Sequence, residues 1–381
     1  MDFSVDAAMQ AYIDEATAFA GTIAPGYRQR ETDRIIDPDL RREMGSRGLI
    51  APELPTALGG RGERALTSGM ITEAVSRGDI NVSYLQVVGS LVGQVIARNA
   101  RPEVAEQWVP KITSGEDIVA IGLSEPGGGS DAGNPSMTAR KEPNGDWILN
   151  GTKSMSFALH AGATVIFART EDGRRGRGIS AFLVELDRDG LTKTATDDMG
   201  TLCVGRGFVE FHDVRIPGEN LLGEEGQAFT QVMQGFDFSR ALIGLQVIGC
   251  AQVTLDESWE YAGTRQAFDQ PISKFQGVSF PLAEADTLLT AARGLCHKTL
   301  WLKDNGLPHT KEAAMCKWWA PKTAYDVINQ CLLTHGQFGY LRDYPIEQRL
   351  RDVLGLQIGD GTAQIMKLII SRQNLDRSVA P

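Results

Sequence analysis

One acidic residue near the carboxy terminus stands in a setting that suits proton transfer. Asp360 lies between Gly359 and Gly361, directly ahead of a segment with the apolar spacing of a helix. Flanking glycines permit unusual backbone angles, and a carboxylate held in such a bend can serve as a general base. Aspartate is also a favoured N-cap residue. This stretch alone favours the cap, so the base hypothesis needs support from elsewhere in the chain.

Three further stretches combine turn residues with charged or aromatic side chains. Residues 124–131 (SEPGGGSD) form a glycine-rich turn after an apolar run, and 211–223 (FHDVRIPGENLLG) contain a proline-glycine turn. Residues 265–276 (RQAFDQPISKFQ) interrupt a helical pattern. Each stretch alone predicts only a turn. Their order and spacing relative to 357–362 are more informative than any one of them.

The chain carries no pattern for a metal, dinucleotide or P-loop site. Its five histidines are scattered, without the H-x-x-x-H or E-x-x-H spacing of zinc sites. No G-x-G-x-x-G opens a helix after a strand, and no G-K-[ST] follows a glycine run. The cysteines are odd in number and never in C-x-x-C spacing, which predicts reduced packing residues. They are Cys203, Cys250, Cys296, Cys316 and Cys331.

Charge and composition exclude several function classes. The 381 residues include 38 lysines and arginines against 48 acids, a net charge of −10, and no window concentrates basic side chains. Nucleic acid binding is therefore not expected, because a phosphate backbone would be repelled. The first residues lack the basic and apolar regions of a secretory signal, and no apolar run approaches the length of a membrane span. A cytoplasmic protein with no membrane span is predicted.

Apolar periodicity divides the chain into three predicted domains. Residues 1–115 carry repeated helical patterns and predict an α-helical domain. Residues 116–226 hold short β-branched or aromatic runs between turns, which predict an all-β domain without the intervening helices of a doubly wound sheet. Residues 227–381 predict a four-helix bundle. Its helices are expected at 229–265, 280–303, 310–335 and 361–376.

One predicted helix of the first domain is apolar on most faces and contains no acid. Neither aspartate nor glutamate occurs between Ile80 and Pro102. We expect a buried helix whose polar side chains need partners inside the fold. Those side chains are Ser83, Tyr84, Gln86 and Ser90.

Together, the four stretches and the three-part order resemble the acyl-CoA dehydrogenase family over nearly the whole chain. The resemblance implies an α+β fold with an N-terminal α-helical domain, a central β-barrel and a C-terminal four-helix bundle. It also implies FAD as cofactor, an acyl-CoA substrate oxidised between its α and β carbons, electron-transfer flavoprotein as the acceptor, and a homotetramer. Periodicity independently predicts the three-part order, but it does not predict the flavin.

The resemblance makes Asp360 the expected α-proton base. The family usually has a glutamate in a Tyr-Glu-Gly-Thr motif, which corresponds here to residues 359–362, so Gly359 and Gly361 would border the substrate. Some members place the base on an earlier helix, at the position of Ser239, which cannot act as one. Aspartate reaches roughly 1.5 Å less far than glutamate. Glycine also leaves space where the family usually has tyrosine.

A shorter base beside a wider pocket suits a bulky or cyclic acyl group. Aspartate as base resembles the cyclohexanecarboxyl-CoA dehydrogenases, so the expected reaction converts cyclohexane-1-carboxyl-CoA to cyclohex-1-ene-1-carboxyl-CoA. A related group performs 1,4-elimination with a second acid on the helix corresponding to 80–97, which has none here. A branched-chain or aryl-substituted acyl-CoA is the alternative substrate. A noncatalytic CoA-binding relative is the alternative from another class.

The resemblance also implies contacts to the flavin ring. Leu123 and Ser124 match residues beside the ring, and Met155, Ser156 and Phe157 match the segment that packs on it. The family's threonine bond to the flavin N5 falls at Phe157. Ser156 is the expected substitute.

Further matches concern the rest of FAD and the coenzyme A group. Arg265, Phe268 and Gln276 match residues that reach the FAD of a neighbouring subunit, where a guanidinium pairs well with pyrophosphate. Thr362 and Gln364 match nucleotide contacts at the start of the last helix, whose amides favour phosphate. The expected CoA contacts are Ser130, Asp237 and Arg240.

Overall fold

The computed structural model describes residues 4–171, 176–375 and 379, with the side chains of 230–234 excepted. Its amino-terminal region is helical, as the apolar periodicity predicts. The helices there are α1 (Ala7–Ile23), α2 (Tyr27–Asp33), α3 (Pro38–Ser46), α4 (Ala65–Gly78), α5 (Ile80–Asn99) and α6 (Pro102–Thr113).

Helix α5 is the buried, acid-free helix that the sequence predicts. Asp79 caps its N-terminus by accepting a hydrogen bond from the amide of Asn81 at 2.8 Å. Its polar side chains find partners only in part: Ser83 donates to a carbonyl one turn earlier at 2.7 Å, whereas the Ser90 hydroxyl and the Gln86 Nε2 are buried without a hydrogen-bond partner among the residues that the structure describes. Gln86 accepts from a loop amide. This helix packs against α4 and α6, against the first strand of the sheet and against the first helix of the carboxy-terminal region, so it contacts all three regions of the chain.

The middle region is a mixed sheet. Strands β1 and β2 pair with β4 in parallel, and the other pairs are antiparallel. Over the described residues the path of paired strands runs β6-β7-β3-β2-β4-β5-β8, with β1 beside β4. The strands are β1 (Val119–Gly122), β2 (Thr138–Lys141), β3 (Trp147–Met155), β4 (Ala163–Arg169), β5 (Ile179–Glu185), β6 (Leu191–Ala195), β7 (Gly207–Ile216) and β8 (Leu221–Leu222).

The carboxy-terminal region is helical again and contains the predicted bundle. Three long helices and one of 12 residues correspond to the four expected ones. A further helix of 10 residues, α10, was not predicted by the periodicity. The expected end of the last helix, Asp376, lies outside the described residues. The elements are α7 (Ala228–Thr264), β9 (Gln266–Ala267), β10 (Gln270–Pro271), α8 (Gln276–Asp304), α9 (Thr310–His335), α10 (Ile346–Gly355) and α11 (Ala363–Asn374).

Two helices satisfy the length and composition of a membrane span, namely α5 and the Gly235–Thr264 part of α7. These two helices are therefore exceptions to the expectation that no apolar segment approaches the length of a membrane span. In each case 89% of the qualifying window is buried inside the fold. Buried core helices meet the same criteria, so the two helices do not by themselves indicate a membrane.

The apolar core unites the regions rather than separating them. One buried cluster joins the amino-terminal helices to the sheet, and a second joins α1, α4 and α5 to the bundle. All five cysteines are buried and free, as the prediction of reduced packing residues requires.

A buried polar cluster ties the three regions together beside α10. Asp352 is 1% exposed and accepts hydrogen bonds from the amide of Thr201 at 2.5 Å, from Asn81 Nδ2 at 2.8 Å and from the Tyr27 hydroxyl at 3.5 Å. Burial raises the pKa of Asp352 to about 7. We call these four residues the three-region junction. Helix α10, which carries Asp352, leads directly into the segment that holds Asp360.

Candidate active site

The segment between α10 and α11, residues 356–362, presents Asp360 in a bend. Asp360 itself has φ +53°, in the left-handed region that few residues other than glycine, asparagine and aspartate adopt readily. Gly361 follows with φ +102°, and a Cβ there would lie 2.5 Å from the Met366 Cε. The bend therefore depends on a glycine at 361. We call residues 356–362 the base loop.

Thr362, and not Asp360, caps helix α11. The Thr362 hydroxyl accepts a hydrogen bond from the amide of Ile365 at 3.4 Å. The alternative in which Asp360 only caps the helix is therefore wrong, because another side chain fills that position. The carboxylate of Asp360 is left available for chemistry.

The surroundings of Asp360 favour a protonated carboxyl more than water does. Burial raises the pKa of Asp360, and the positive charges of Lys317, Arg240 and Arg206 partly oppose that rise. A carboxylate with a raised pKa is a stronger base than an ordinary aspartate. Perturbed carboxyl groups of this kind cluster at catalytic sites.

Lys317 is the cation most closely tied to the base loop. It lies on α9 and is 1% exposed. Its Nζ donates to the carbonyl of Leu356 at 2.6 Å and to the carbonyl of Gly361 at 3.3 Å. Burial lowers the pKa of Lys317 to about 8, while the negative charge of Asp360 acts in the opposite direction.

Two aromatic side chains lie close to the base loop. Tyr84 on α5 meets Phe157, which follows β3, edge to face with ring centroids 6.5 Å apart. Burial raises the pKa of the Tyr84 hydroxyl, and the nearby charge of Asp360 raises it further. Helix α5, the end of β3 and the base loop therefore converge on one place. This convergence brings together residues from all three regions of the chain.

The flavin-facing residues expected from the resemblance lie along the sheet next to this place. Leu123 and Ser124 are partly exposed, and the Ser124 carbonyl accepts from the amide of Ser154 at 2.9 Å. Lys153, fully buried, fixes the same turn through Glu125 at 2.8 Å and through the Leu123 carbonyl at 3.3 Å.

The three residues after Lys153 differ in how accessible they are. The side chains of Met155 and Phe157 are buried, and the Met155 sulfur accepts from the Thr164 hydroxyl at 3.4 Å. Ser156 between them keeps partial exposure. It is therefore the one of the three with a hydroxyl that a ligand can reach.

The residues expected to reach a neighbouring subunit lie on the outer side of the bundle. Arg265 precedes the β9–β10 hairpin, Phe268 at its tip is 88% exposed, and Gln276 opens α8. The Arg265 guanidinium lies 5.8 Å from the Phe338 ring centroid. Within the described part of the chain, none of these three residues forms a hydrogen bond with the base loop.

The expected CoA contacts divide into a buried pair and exposed groups. Asp237 and Arg240 form an ion pair of 2.7 Å, each 7% exposed, and the Thr310 hydroxyl donates to the second Asp237 oxygen at 2.5 Å. Arg240 also directs its charge toward Asp360. Ser130, the third expected CoA contact, is exposed, and so is Gln364, which is expected to contact the flavin nucleotide.

Sequence reasoning missed Lys317 and Arg206, both of which influence Asp360 electrostatically. Lys317 did have a signal, because it is the one charged residue in the apolar run 313–320 (AAMCKWWA). Arg206 had none, since it stands among glycines ahead of β7.

Family models for the acyl-CoA dehydrogenase N-terminal, middle and C-terminal domains match residues 7–116, 120–214 and 226–375. The chain belongs to the acyl-CoA dehydrogenase family. The short-chain specific acyl-CoA dehydrogenase of Rattus norvegicus mitochondria is 38% identical over 353 residues, covering 92% of this chain and 85% of that protein.

Solved structures of the family superpose closely on this fold. Butyryl-CoA dehydrogenase from Megasphaera elsdenii gives a TM-score of 0.95 at 30% identity, covering 99% of this chain and 100% of the other. A chain from a structure described as "Electron transferring flavoprotein of Acidaminococcus fermentans" gives a TM-score of 0.95 at 32% identity, covering 98% and 100%. The order of helical, sheet and helical domains expected from the sequence is confirmed.

Acyl-CoA dehydrogenases use FAD, and the residues here fit that cofactor. A Cβ added at Gly127, Gly128 or Gly129, in the turn that follows β1, would meet no other atom within 4 Å, so the turn leaves its backbone open to a ligand. The first amides of α11, behind the Thr362 cap, favour an anionic phosphate. The chain is therefore an FAD-dependent enzyme of the acyl-CoA dehydrogenase type.

Proposed function

We propose that this enzyme oxidises a cyclic acyl-CoA, cyclohexane-1-carboxyl-CoA, to the 1-ene with Asp360 as the α-proton base. The observation that carries the proposal is the division of roles at the base loop: Thr362 caps α11, which leaves Asp360 half-buried and without a capping task. When bound, FAD supplies the N5 atom that accepts a hydride from the β carbon.

Asp360 performs the step that the protein itself must supply. A thioester α-proton is too weakly acidic to leave unaided, so a fixed carboxylate has to accept it. The left-handed bend at Asp360 sets the direction of the carboxylate, and Lys317, Arg240 and Arg206 favour its ionised form. Below the pKa of Asp360 the base is protonated, so the rate of flavin reduction should fall as the pH is lowered.

The space beside the base supports a bulky acyl group. A Cβ added at Gly359 would meet only the Gly355 carbonyl oxygen, at 3.8 Å. The short Asp360 side chain also holds its carboxylate nearer the backbone than a glutamate would, by roughly 1.5 Å. Helix α5 offers no acid for 1,4-elimination, and Asp79 at its N-terminus is bound to Arg30 at 2.6 Å. The space at Gly359 and the short Asp360 side chain favour a ring as the acyl group. The absence of an acid on α5 favours 1,2-dehydrogenation over 1,4-elimination.

Replacing Gly359 with tyrosine should narrow the acyl pocket. Gly359 is outside the residues with positive φ, so the backbone admits a side chain there. We expect Gly359→Tyr to slow flavin reduction by cyclohexane-1-carboxyl-CoA by on the order of tenfold to a hundredfold, with a smaller effect on butyryl-CoA, because misplacement of about 1 Å costs that much. Stopped-flow rates with the two thioesters measure the difference.

Gly21→Ala on α1, where a Cβ meets nothing within 4 Å, is the control and should leave the substrate preference unchanged. If Gly359→Tyr slows both thioesters equally, the space at 359 is not part of the acyl pocket.

A panel of acyl-CoA thioesters tests the substrate class. Anaerobic mixing of the FAD-loaded enzyme with isobutyryl, benzylsuccinyl and cyclohexanecarboxyl thioesters should bleach the flavin fastest with the last. Faster bleaching by either of the others would replace the cyclic substrate with a branched-chain or aryl-substituted one. Turnover with an artificial electron acceptor separates all three from a noncatalytic CoA-binding relative, which would show none.

The partners and the remaining site residues belong to the same proposal. Electron-transfer flavoprotein is the proposed electron acceptor. The proposed domains are residues 1–115, 116–226 and 227–381. We propose that the enzyme is cytoplasmic and forms a homotetramer. Exposed apolar side chains on the bundle support association between copies. Light scattering of the FAD-loaded protein tests this, and a monomer would contradict it. The side chains are Phe268, Phe280, Leu333 and Tyr340.

Contacts to FAD are proposed for the residues that the family resemblance matches to the flavin ring and its nucleotide. Replacing Ser156 or Arg265 with alanine should weaken the retention of FAD. Gel filtration followed by a flavin absorbance spectrum measures how much FAD stays bound. Unchanged FAD content in both variants would remove them from the cofactor site. The proposed cofactor contacts are Leu123, Ser124, Met155, Ser156, Phe157, Arg265, Phe268, Gln276, Thr362 and Gln364; the proposed substrate contacts are Ser130, Asp237, Arg240, Gly359 and Gly361.

A further inference from the structure

Lys317 bonds to both ends of the segment that carries the proposed base. Its Nζ reaches the carbonyl of Leu356, before Asp360, at 2.6 Å and the carbonyl of Gly361, after it, at 3.3 Å. Leu356 is the C-cap of α10, and its carbonyl lies beyond the regular hydrogen bonding of that helix. One ammonium group therefore fixes the two sides of the bend.

Packing alone does not explain why a lysine occupies this position. The residue is 1% exposed and lies in an apolar stretch of α9, where burial of an ammonium group costs free energy. An apolar side chain would fill the volume at a lower cost. It would leave two loop carbonyls without a donor, and it would remove the positive charge that most lowers the pKa of Asp360.

We infer that Lys317 is the positioning residue for the base: it clamps the base loop through the Leu356 and Gly361 carbonyls and places a positive charge beside Asp360. The inference rests on the proposed role of Asp360. A carboxylate that drifts by about 1 Å from its working position loses on the order of a hundredfold in rate. The clamp supplies the rigidity that a two-glycine bend lacks.

The charges around Asp360 fix the direction of the expected pH effect. Lys317 faces it from α9, Arg240 from α7, Arg206 from the segment ahead of β7, and the Tyr84 hydroxyl from α5. Lys317 is the largest of the influences that lower the pKa of Asp360. Its loss should raise that pKa, so the acid limb of the rate profile should move to higher pH by roughly one unit or more.

Two variants of the FAD-loaded enzyme separate the clamp from the charge. Lys317→Met removes both, whereas Lys317→Gln keeps a donor without the charge. For Lys317→Met we expect flavin reduction slower by on the order of a hundredfold, an acid limb shifted to higher pH, and faster amide hydrogen exchange in residues 356–362 but not in α7. For Lys317→Gln we expect the same shift of the acid limb with exchange closer to wild type.

Lys322→Met on the same helix is the matched control, since Lys322 is exposed and pairs with Asp326; it should change none of these measurements. The inference is overturned if Lys317→Met folds and binds FAD but keeps the wild-type acid limb and wild-type exchange. If Lys317→Met does not fold, a wild-type acid limb in Lys317→Gln overturns it. Failure of the wild-type enzyme with every thioester would reject the proposed function, while the exchange comparison would still decide the clamp.

Discussion

Asp360→Asn should reduce the rate of acyl-CoA-dependent flavin reduction by roughly 10⁴-fold, the upper end of what a positioned base contributes. The amide has the shape of the carboxylate but cannot accept the α-proton. Asparagine also tolerates the left-handed φ of +53° at this position, so the base loop should keep its course. FAD should remain bound. Anaerobic stopped-flow absorbance gives the rate, and the spectrum of the same sample gives the FAD content.

Asp197→Asn is a suitable control for this experiment, because the Asp197 side chain is 92% exposed and, among the described residues, pairs only with Arg34 at 3.1 Å. It should reduce the flavin at the wild-type rate. An Asp360→Asn enzyme that remained active would show that another group removes the proton. The base would then have to be sought among the other residues facing the site.

Asp352→Asn should make the protein more stable at alkaline pH than wild type. The folded pKa of Asp352 is about 7, above its ordinary value of 3.8. From about pH 4 to pH 7 the folded state therefore holds a proton that the unfolded state has lost. The contribution of Asp352 to the free energy of unfolding is thus largest at low pH and is lost as the pH rises through 7. Asparagine stays neutral and removes that loss, on the order of 4 kcal/mol at most.

The difference in Tm between Asp352→Asn and wild type measures this effect at fixed FAD and protein concentrations. It should be clearly smaller at pH 5 than at pH 8, where it should reach several degrees. The Asn81 Oδ1 is buried without a partner, so rotation of that amide can accommodate a donor from the new asparagine. The exposed Asp197→Asn variant should show no such trend. A Tm difference that is the same at both pH values would contradict the account.

Much of the fold could be predicted because it follows from local patterns. The acid-free run after Asp79 predicts a buried helix, and α5 is one. The β-branched runs between turns predict a sheet domain between two helical domains, and the structure and the family relatives have it. The short helix α10 escaped prediction, since 10 residues give too little periodicity between two loops.

The candidate site was predicted only in part, because several of its properties depend on distant residues meeting in space. The stretch alone favours Asp360 as the cap of α11, whereas the structure gives that position to Thr362, two residues further along. The roles of Lys317 and Arg206 arise only when α9 and the segment before β7 approach the base loop. Such charges are separated from Asp360 by many residues, and spacing along the chain does not reveal them.

The most direct test of the central claim concerns the α-proton itself. The FAD-loaded enzyme is mixed anaerobically with whichever thioester of the panel reduces it fastest, carrying either hydrogen or deuterium at the α carbon. If Asp360 removes this proton during flavin reduction, the deuterated thioester should bleach the flavin several-fold more slowly. Equal rates with hydrogen and deuterium would contradict the account.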